Sequence, residues 1–212
     1  AYCYVERSSE TTLSSIDGVV GTLRDRSGNA NHLRAPTDAA RPILRNSGAL
    51  SWLEFDGIDD AMRAAFAVGT TFARYSAIAG ITNTSADRIY SSGGAGSNVA
   101  ELMQGPASTQ IRQFHTINGT LATVPALGTN YTVSETITGT TGTLQINAGS
   151  VVNSTGFTAG DPLGVTTGAF WNGSVHAAYG NIKFFGCTMR ASTFSAGELT
   201  DLETYYRTKA GL

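Results

Sequence analysis

The sequence predicts an all-β fold, a sandwich of short antiparallel strands closed by one C-terminal helix, and three observations predict it. Charged residues make up only 14% of the 212, well below the roughly 25% of ordinary globular domains, while glycine alone contributes 25 residues. Apolar segments are short, alternate with Thr and Ser, and are punctuated by Asn, Asp and Gly clusters, as strands joined by tight turns require. One segment, at the end of the chain, has helical spacing together with helix start and stop residues.

Hydrophobic residues at 41% suffice for a sizeable core, and a domain of this size buries roughly 70% of the surface its unfolded chain exposes. One domain over residues 1–212 is the working expectation.

The elements follow in order. Val19-Val20-Gly21-Thr22-Leu23 reads as a short strand, and Asp25 to His32 as a loop dense in turn formers. Leu50, Trp52 and Phe55 form a strand running into the tight turn Asp56-Gly57-Ile58-Asp59-Asp60, with Trp52 assigned to the core. Residues 76–81 and 111–117 read as strands, and Asn118-Gly119, between Ile117 and Leu121, predicts a two-residue hairpin turn. From Tyr131 the alternation is clean. Tyr131, Val133 and Ile137 share a buried face, Thr132, Ser134, Thr136 and Thr138 a wet one, and Glu135 interrupts the pattern. Thr138-Gly139-Thr140-Thr141-Gly142-Thr143 reads as a flexible loop. Leu144 and Ile146 continue the pattern, Asn172-Gly173 marks a turn after Phe170-Trp171, and residues 181–188 make the last strand.

The helix begins where Ser195 caps its first turn and Glu198, three residues on, completes a capping box. Leu199, Leu202 and Tyr206 share one face, which predicts docking on an edge of the sandwich. Glu198 and Asp201 near the start and Arg207 and Lys209 near the end suit the helix dipole, and Gly211 stops the helix.

Three motifs stand in order: Asp25-x-Ser27-Gly28-Asn29-x-Asn31-His32, then Arg41-Pro42, then Leu53-x-Phe55-Asp56-Gly57-x-Asp59-Asp60. Near the end, Gly180-Asn181-Ile182-Lys183-Phe184-Phe185-Gly186 precedes Ser195-x-x-Glu198-Leu199-x-x-Leu202-x-x-Tyr205-Tyr206. Together these resemble the laminin-G-like domains of the concanavalin A-like lectin/glucanase superfamily, from residue 17 to the end, with only strand-like texture between residues 69 and 170. The resemblance implies an antiparallel jelly-roll β-sandwich with one short C-terminal α-helix. It also implies a non-catalytic recognition or structural module of a phage virion or bacterial surface protein, located on the virion or cell surface and binding a glycan or a neighbouring protein. An architectural protein that decorates or cements a virion and a glycan-cleaving enzyme are the alternatives, and a homo-oligomer stays open.

No catalytic residue is assigned. Glu54-x-Asp56-x-x-Asp59 invites comparison with the glucanase branch, since alternation puts Glu54 and Asp56 on one face. A retaining glycosidase, however, needs two carboxyl groups about 5–5.5 Å apart, and the short Asp59 lies in a glycine-containing turn. Gly-x-Ser-x-Gly, His-Glu-x-x-His and Cys-x-x-Cys do not occur. His32, His115 and His176 are read as structural or exposed.

A calcium loop is the functional rival for Asp25, Ser27, Asn29 and Asn31, which place oxygen-bearing side chains at every second position. The same residues make Asx-type turns, and a bidentate acid is missing downstream, so no cofactor is expected, with Ca2+ as the alternative. Sugar binding asks for an aromatic surface against the apolar side of a pyranose and polar groups for its hydroxyls. Trp171, beside a turn, is the candidate, with Asn172, Tyr131, Arg112 and His115 as its polar rim.

A net charge of −2 offers no basic field for phosphates, so nucleic acid is not an expected partner. No apolar run reaches the roughly 20 residues that span a bilayer, so membrane insertion is not expected either. The opening Ala1-Tyr2-Cys3-Tyr4-Val5-Glu6 lacks the basic-then-apolar layout of a secretory leader. Cys3 and Cys187 stand near opposite ends, where first and last strands often pair, and both a bridge and two separate buried thiols are open.

Overall fold

Period-two alternation lays the chain out as strands. The computed structural model describes residues 2–4, 18–81, 88–93, 99–104, 110–115, 118–155, 163–171 and 173–212. The strands are β1 (Tyr2–Tyr4), β2 (Thr22–Leu23), β3 (Leu33–Arg34), β4 (Ile43–Ser47), β5 (Leu50–Asp56), β6 (Met62–Ala64), β7 (Thr71–Gly80), β8 (Arg88–Gly93) and β9 (Val99–Gln104). They continue with β10 (Gln110–His115), β11 (Asn118–Thr123), β12 (Tyr131–Thr138), β13 (Thr141–Ile146), β14 (Val152–Thr155), β15 (Val165–Thr167), β16 (Phe170–Trp171), β17 (His176–Ala177) and β18 (Asn181–Arg190), and helix α1 (Ala196–Ala210) follows.

Two antiparallel sheets form the jelly-roll sandwich. The first runs β14-β13-β12-β7-β18-β5-β4, with β1 also on β18; the second runs β11-β10-β9-β8-β15-β6-β3-β2; β16 and β17 form a separate hairpin. Leu53, Phe55, Phe72, Ile78, Val133 and Leu144 of the first sheet meet Leu23, Leu33, Met62, Ile111 and Val165 of the second in one core. This architecture is the one the sequence predicts.

β18 is the spine of the first sheet. One edge pairs with β7 along most of its length; the other pairs with β5 at Asn181–Phe184 and with β1 at Gly186–Thr188. A bulge between Phe184 and Gly186 shifts the register, so the alternation changes phase there. Phe184, Cys187 and Met189 therefore point into the sandwich, whereas Phe185 points out to a second apolar cluster.

That second cluster is where the helix sits. Ser195 and Glu198 form the predicted capping box, and Gly211 closes the helix in a left-handed conformation, φ 70°. Leu199, Leu202 and Tyr206 pack with Tyr75, Ala77 and Phe185, and the rings of Tyr75 and Tyr206 stack at 5.6 Å. Helix α1 thus lies across the outer face over β7, β12, β18 and β5, not on the expected edge. The outer residues of those central strands, Ala73, Tyr75, Ala77 and Ala79, are apolar and buried, whereas edge strands offer no such stripe.

The covered face brings further corrections. Thr132, expected on a wet face, is buried and its hydroxyl donates to Glu203 Oε2 of the helix at 2.8 Å. Trp52 belongs to the outer cluster and not to the sandwich core. Thr138 pairs with Thr141, so residues 138–143 are a tight hairpin where a flexible loop was expected. The hairpin near Asn118-Gly119 exists, but His115 pairs with Asn118 and Phe114 with Gly119. Asn118-Gly119, expected as the turn, is instead the start of β11, and Thr116 and Ile117 between the paired residues lie outside the described residues.

Candidate functional site

Alternation in two short strands starts the site. Leu33 of β3 and Met62 and Ala64 of β6 are buried while Arg34 and Arg63 face outward, and Arg34 and Arg63 are direct partners across the pair. The β16–β17 hairpin, in which Trp171 pairs with His176, lies over this outer surface. Between them is a cleft of about 770 Å³. Asn31 and His32 close it from the Asp25 loop, Asp59 from the β5–β6 turn, and Val175 and Tyr179 from the hairpin side.

Gly168 permits the approach of the hairpin strand. It holds φ +80°, and a Cβ there would stand 2.1 Å from Cδ1 of the buried Phe55. Three residues on, Trp171 is partly exposed. Its ring lies 4.7 Å from the ring of His176 and 4.7 Å from the Arg63 guanidinium carbon, within cation–π range. The guanidinium is further fixed by donating from Nη2 to the Leu163 carbonyl at 3.0 Å. Burial, and then the charge of Arg63, lower the His176 pKa from its ordinary value, which keeps the imidazole neutral at pH 7. Its Nε2 is buried without a hydrogen-bond partner.

The Asp25 loop organises itself by internal hydrogen bonds. Asp25 Oδ1 accepts from Ser27 N at 2.8 Å, and Oδ2 from Ser27 Oγ and Asn31 N at 2.9 Å each. Ser27 Oγ accepts in turn from Asn29 Nδ2 at 3.0 Å, and His32 Nδ1 accepts from Asp25 N at 3.1 Å. These bonds shape the loop whose Asn31 and His32 reach the cleft, and they engage the side-chain oxygens of Asp25 and Ser27, two of the four residues considered for calcium. The β5–β6 turn is built similarly. Asp56 Oδ1 accepts from Ile58 N at 2.8 Å and Asp60 Oδ2 from Asp56 N at 3.0 Å, and Asp56, Asp59 and Asp60 offer carboxylate oxygens within 4.8 Å of one another. Glu54 pairs instead with Arg45 at 3.2 Å, on the outer face beside Trp52.

Of the residues named from sequence for a sugar site, Trp171 lines the cleft. Asn172 lies outside the described residues. Tyr131 is corrected: it is a core residue, 2% exposed, because its strand face is the one turned into the sandwich. Arg112 and His115 are corrected as well. Their strand β10 is four strands from β6 in the second sheet, roughly 19 Å at ordinary strand spacing. His32 and His176, read as structural, are brought into the cleft instead, together with Arg34 and Arg63, which sequence reasoning missed. The available signal was the alternation in Met62-Arg63-Ala64, which turns Arg63 outward; nothing local says that a hairpin begun a hundred residues later covers it.

The fold is an antiparallel β-sandwich with one C-terminal helix, and solved structures bear out the architecture. No protein-family model and no curated protein matches the chain. A mutant of a GH54 α-L-arabinofuranosidase soaked with 4-nitrophenyl α-L-arabinofuranoside matches with TM-score 0.67 at 12% identity, over 91% of this chain and 51% of the other. A Trypanosoma rangeli sialidase in complex with sialic acid matches with TM-score 0.67 at 12% identity, over 95% of this chain and 32% of the other. The binding domain of Paraclostridial Mosquitocidal Protein 1 matches with TM-score 0.62 at 9% identity, over 98% of this chain and 51% of the other. The chain thus spans about half of two of these proteins and a third of the other, and what it shares with them is the fold. The expectation of a non-catalytic module is corrected by this finding: its structural neighbours include glycoside hydrolases.

Proposed function

We propose that the chain is a carbohydrate-recognition module whose saccharide lies in the Trp171 cleft. The observation that carries this reading is the convergence on one cleft of two aromatic side chains, Trp171 and Tyr179, with the polar groups of Asn31, His32, Arg34, Arg63 and His176. Its volume is in the range of small-ligand sites, and aromatic surface with a few convergent polar groups is what a pyranose requires. Neighbouring folds support the class of ligand. An arabinofuranosidase is complexed with arabinofuranosyl-α-1,2-xylobiose and a sialidase with sialic acid, and the toxin match is a binding domain. The finer reading, a laminin-G-like module of a bacterial surface or phage particle, is supported by the residue resemblance alone.

The test is a glycan-array screen followed by isothermal titration of each hit against wild type and Trp171→Ala, with circular dichroism confirming that the variant keeps its sheet signal. The expected result is saturable binding that falls at least tenfold in the variant. Undiminished binding would move the site elsewhere on the molecule, and silence across the array would overturn the reading. The titration is expected to be unchanged by a calcium chelator, because the Asp25 loop oxygens already accept backbone and side-chain hydrogen bonds.

A further inference from the structure

Resting on that reading, we infer that the saccharide the cleft selects is anionic, its carboxylate or sulfate group seated between Arg34 and Arg63. These arginines are opposed residues of adjacent antiparallel strands, and both line the cleft. Like charges directly opposite on one sheet face are destabilising, so such a pair calls for a counter-charge. Among the described residues neither guanidinium has a carboxylate within 4.0 Å, although other arginines do: Arg45 with Glu54, Arg74 with Glu135, Arg207 with Glu203. Asp59 is the one acid among the lining residues and pairs with neither, which leaves the lining with an excess of positive charge.

The arrangement is also held in place before any ligand arrives. Arg63 is fixed by the Trp171 ring and the Leu163 carbonyl, two neutral partners that orient the guanidinium without neutralising it. A planar guanidinium offers paired N–H donors matched to carboxylate or sulfate oxygens. His176, its ring 4.7 Å from the same indole, also lines the cleft. Ala35, Pro36 and Val175 give the wall an apolar part for the ring of the sugar. A concave site of this volume fits a saccharide unit better than an acidic peptide, which needs a longer groove or a sheet edge.

The experiment uses the intact chain on an array that carries uronic-acid, sialylated and sulfated glycans beside their neutral counterparts, with poly-glutamate as a peptide control. Wild type, Arg34→Gln, Arg63→Gln and Trp171→Ala are compared. Acidic members are expected to be retained at least tenfold more strongly than neutral ones, and each arginine substitution is expected to cost at least tenfold on the acidic members alone. Comparison of the uronic and sialylated members with the sulfated ones separates a carboxylate from a sulfate. Neutral glycans bound equally well, and lost only in Trp171→Ala, would overturn the anionic inference while the carbohydrate reading stands. Retention of poly-glutamate without any glycan would overturn both and assign the cleft to an acidic protein.

Discussion

Arg74 of β7 and Glu135 of β12 are direct cross-strand partners inside the sandwich, an ion pair with each residue 3% exposed or less. Arg74 Nε donates to Glu135 Oε2 at 2.6 Å. Gln113, from the opposite sheet, donates to Glu135 Oε1 at 2.9 Å and accepts from Ser154 Oγ at 2.9 Å. A charge in the dry interior is tolerated only when paired and hydrogen-bonded on its remaining sites, and this network also ties the two sheets together. It accounts for the break that Glu135 makes in the alternation of its strand.

Removing one member strands the other. Glu135→Ala is expected to cost about 3–5 kcal/mol, because it leaves the Arg74 guanidinium buried without its counter-charge. The double change Arg74→Met with Glu135→Leu is expected to recover most of that loss. Urea-unfolding midpoints of the three proteins check this, and a double variant no better than the single one would count against it.

Asp60 sets a pH dependence. Burial raises its carboxyl to about 6 from the ordinary 3.8, the hydrogen bond from Asp56 N opposes the rise, and the charges of Asp56 and Asp59 add to it. The folded state therefore holds this proton more tightly than the unfolded chain, and the contribution is fully present below pH 4 and lost as pH rises to 6. Asp60→Asn keeps an acceptor for Asp56 N and has nothing to titrate. Its stability relative to wild type is expected to be better at pH 7 than at pH 4, measured as the difference in urea midpoint; an equal difference at both pH values would refute the assignment.

Gly168 should resist replacement. Alanine there meets both a left-handed backbone and the Phe55 ring, and the two effects together are expected to cost about 2–4 kcal/mol. Gly69→Ala is the control: its φ is +81° but nothing lies within 4 Å of the added carbon, so only the backbone effect of about 1–2 kcal/mol applies. Thermal unfolding of both variants gives the comparison, and equal losses would show that the Phe55 contact is unimportant.

Cys3 on β1 and Cys187 on β18 are opposed positions of one antiparallel ladder. Such Cα atoms stand about 4.5–5.5 Å apart, inside the roughly 4.4–6.8 Å that a disulfide spans. Exposure of the protein to oxidised dithiothreitol is expected to close an intrachain bond by thiol–disulfide exchange. It would be read as a peptide pair linked through the two cysteines in a non-reducing digest; two fully alkylated cysteines after the same treatment would refute it.

Strands, turns and the helix were largely legible because each rests on local rules: alternation, Asx and glycine turns, and a capping box at Ser195 and Glu198. The place of Asn118-Gly119 inside β11 was not, because a register compatible with the sheet outweighed the local turn preference of that pair. Helix placement failed for a related reason. Ala73, Tyr75, Ala77 and Ala79 are a buried outer stripe only once β7 has become a central strand. The site was legible at Trp171 and hidden elsewhere, since Arg34, Arg63 and His176 meet through strand pairing across more than a hundred residues. Arg112 and His115 were misplaced by the same ignorance of strand order.

The position of β18 has a consequence for how the molecule comes into being. The strand that joins β7 to both β5 and β1 is the last one synthesised, so the first sheet has no centre until residue 190 has cleared the ribosome. Earlier strands emerge with the flanks of that gap unpaired. Assembly therefore waits on contacts that join distant parts of the chain, a topology that folds slowly and leaves open strand edges in the nascent chain for chaperones to shield.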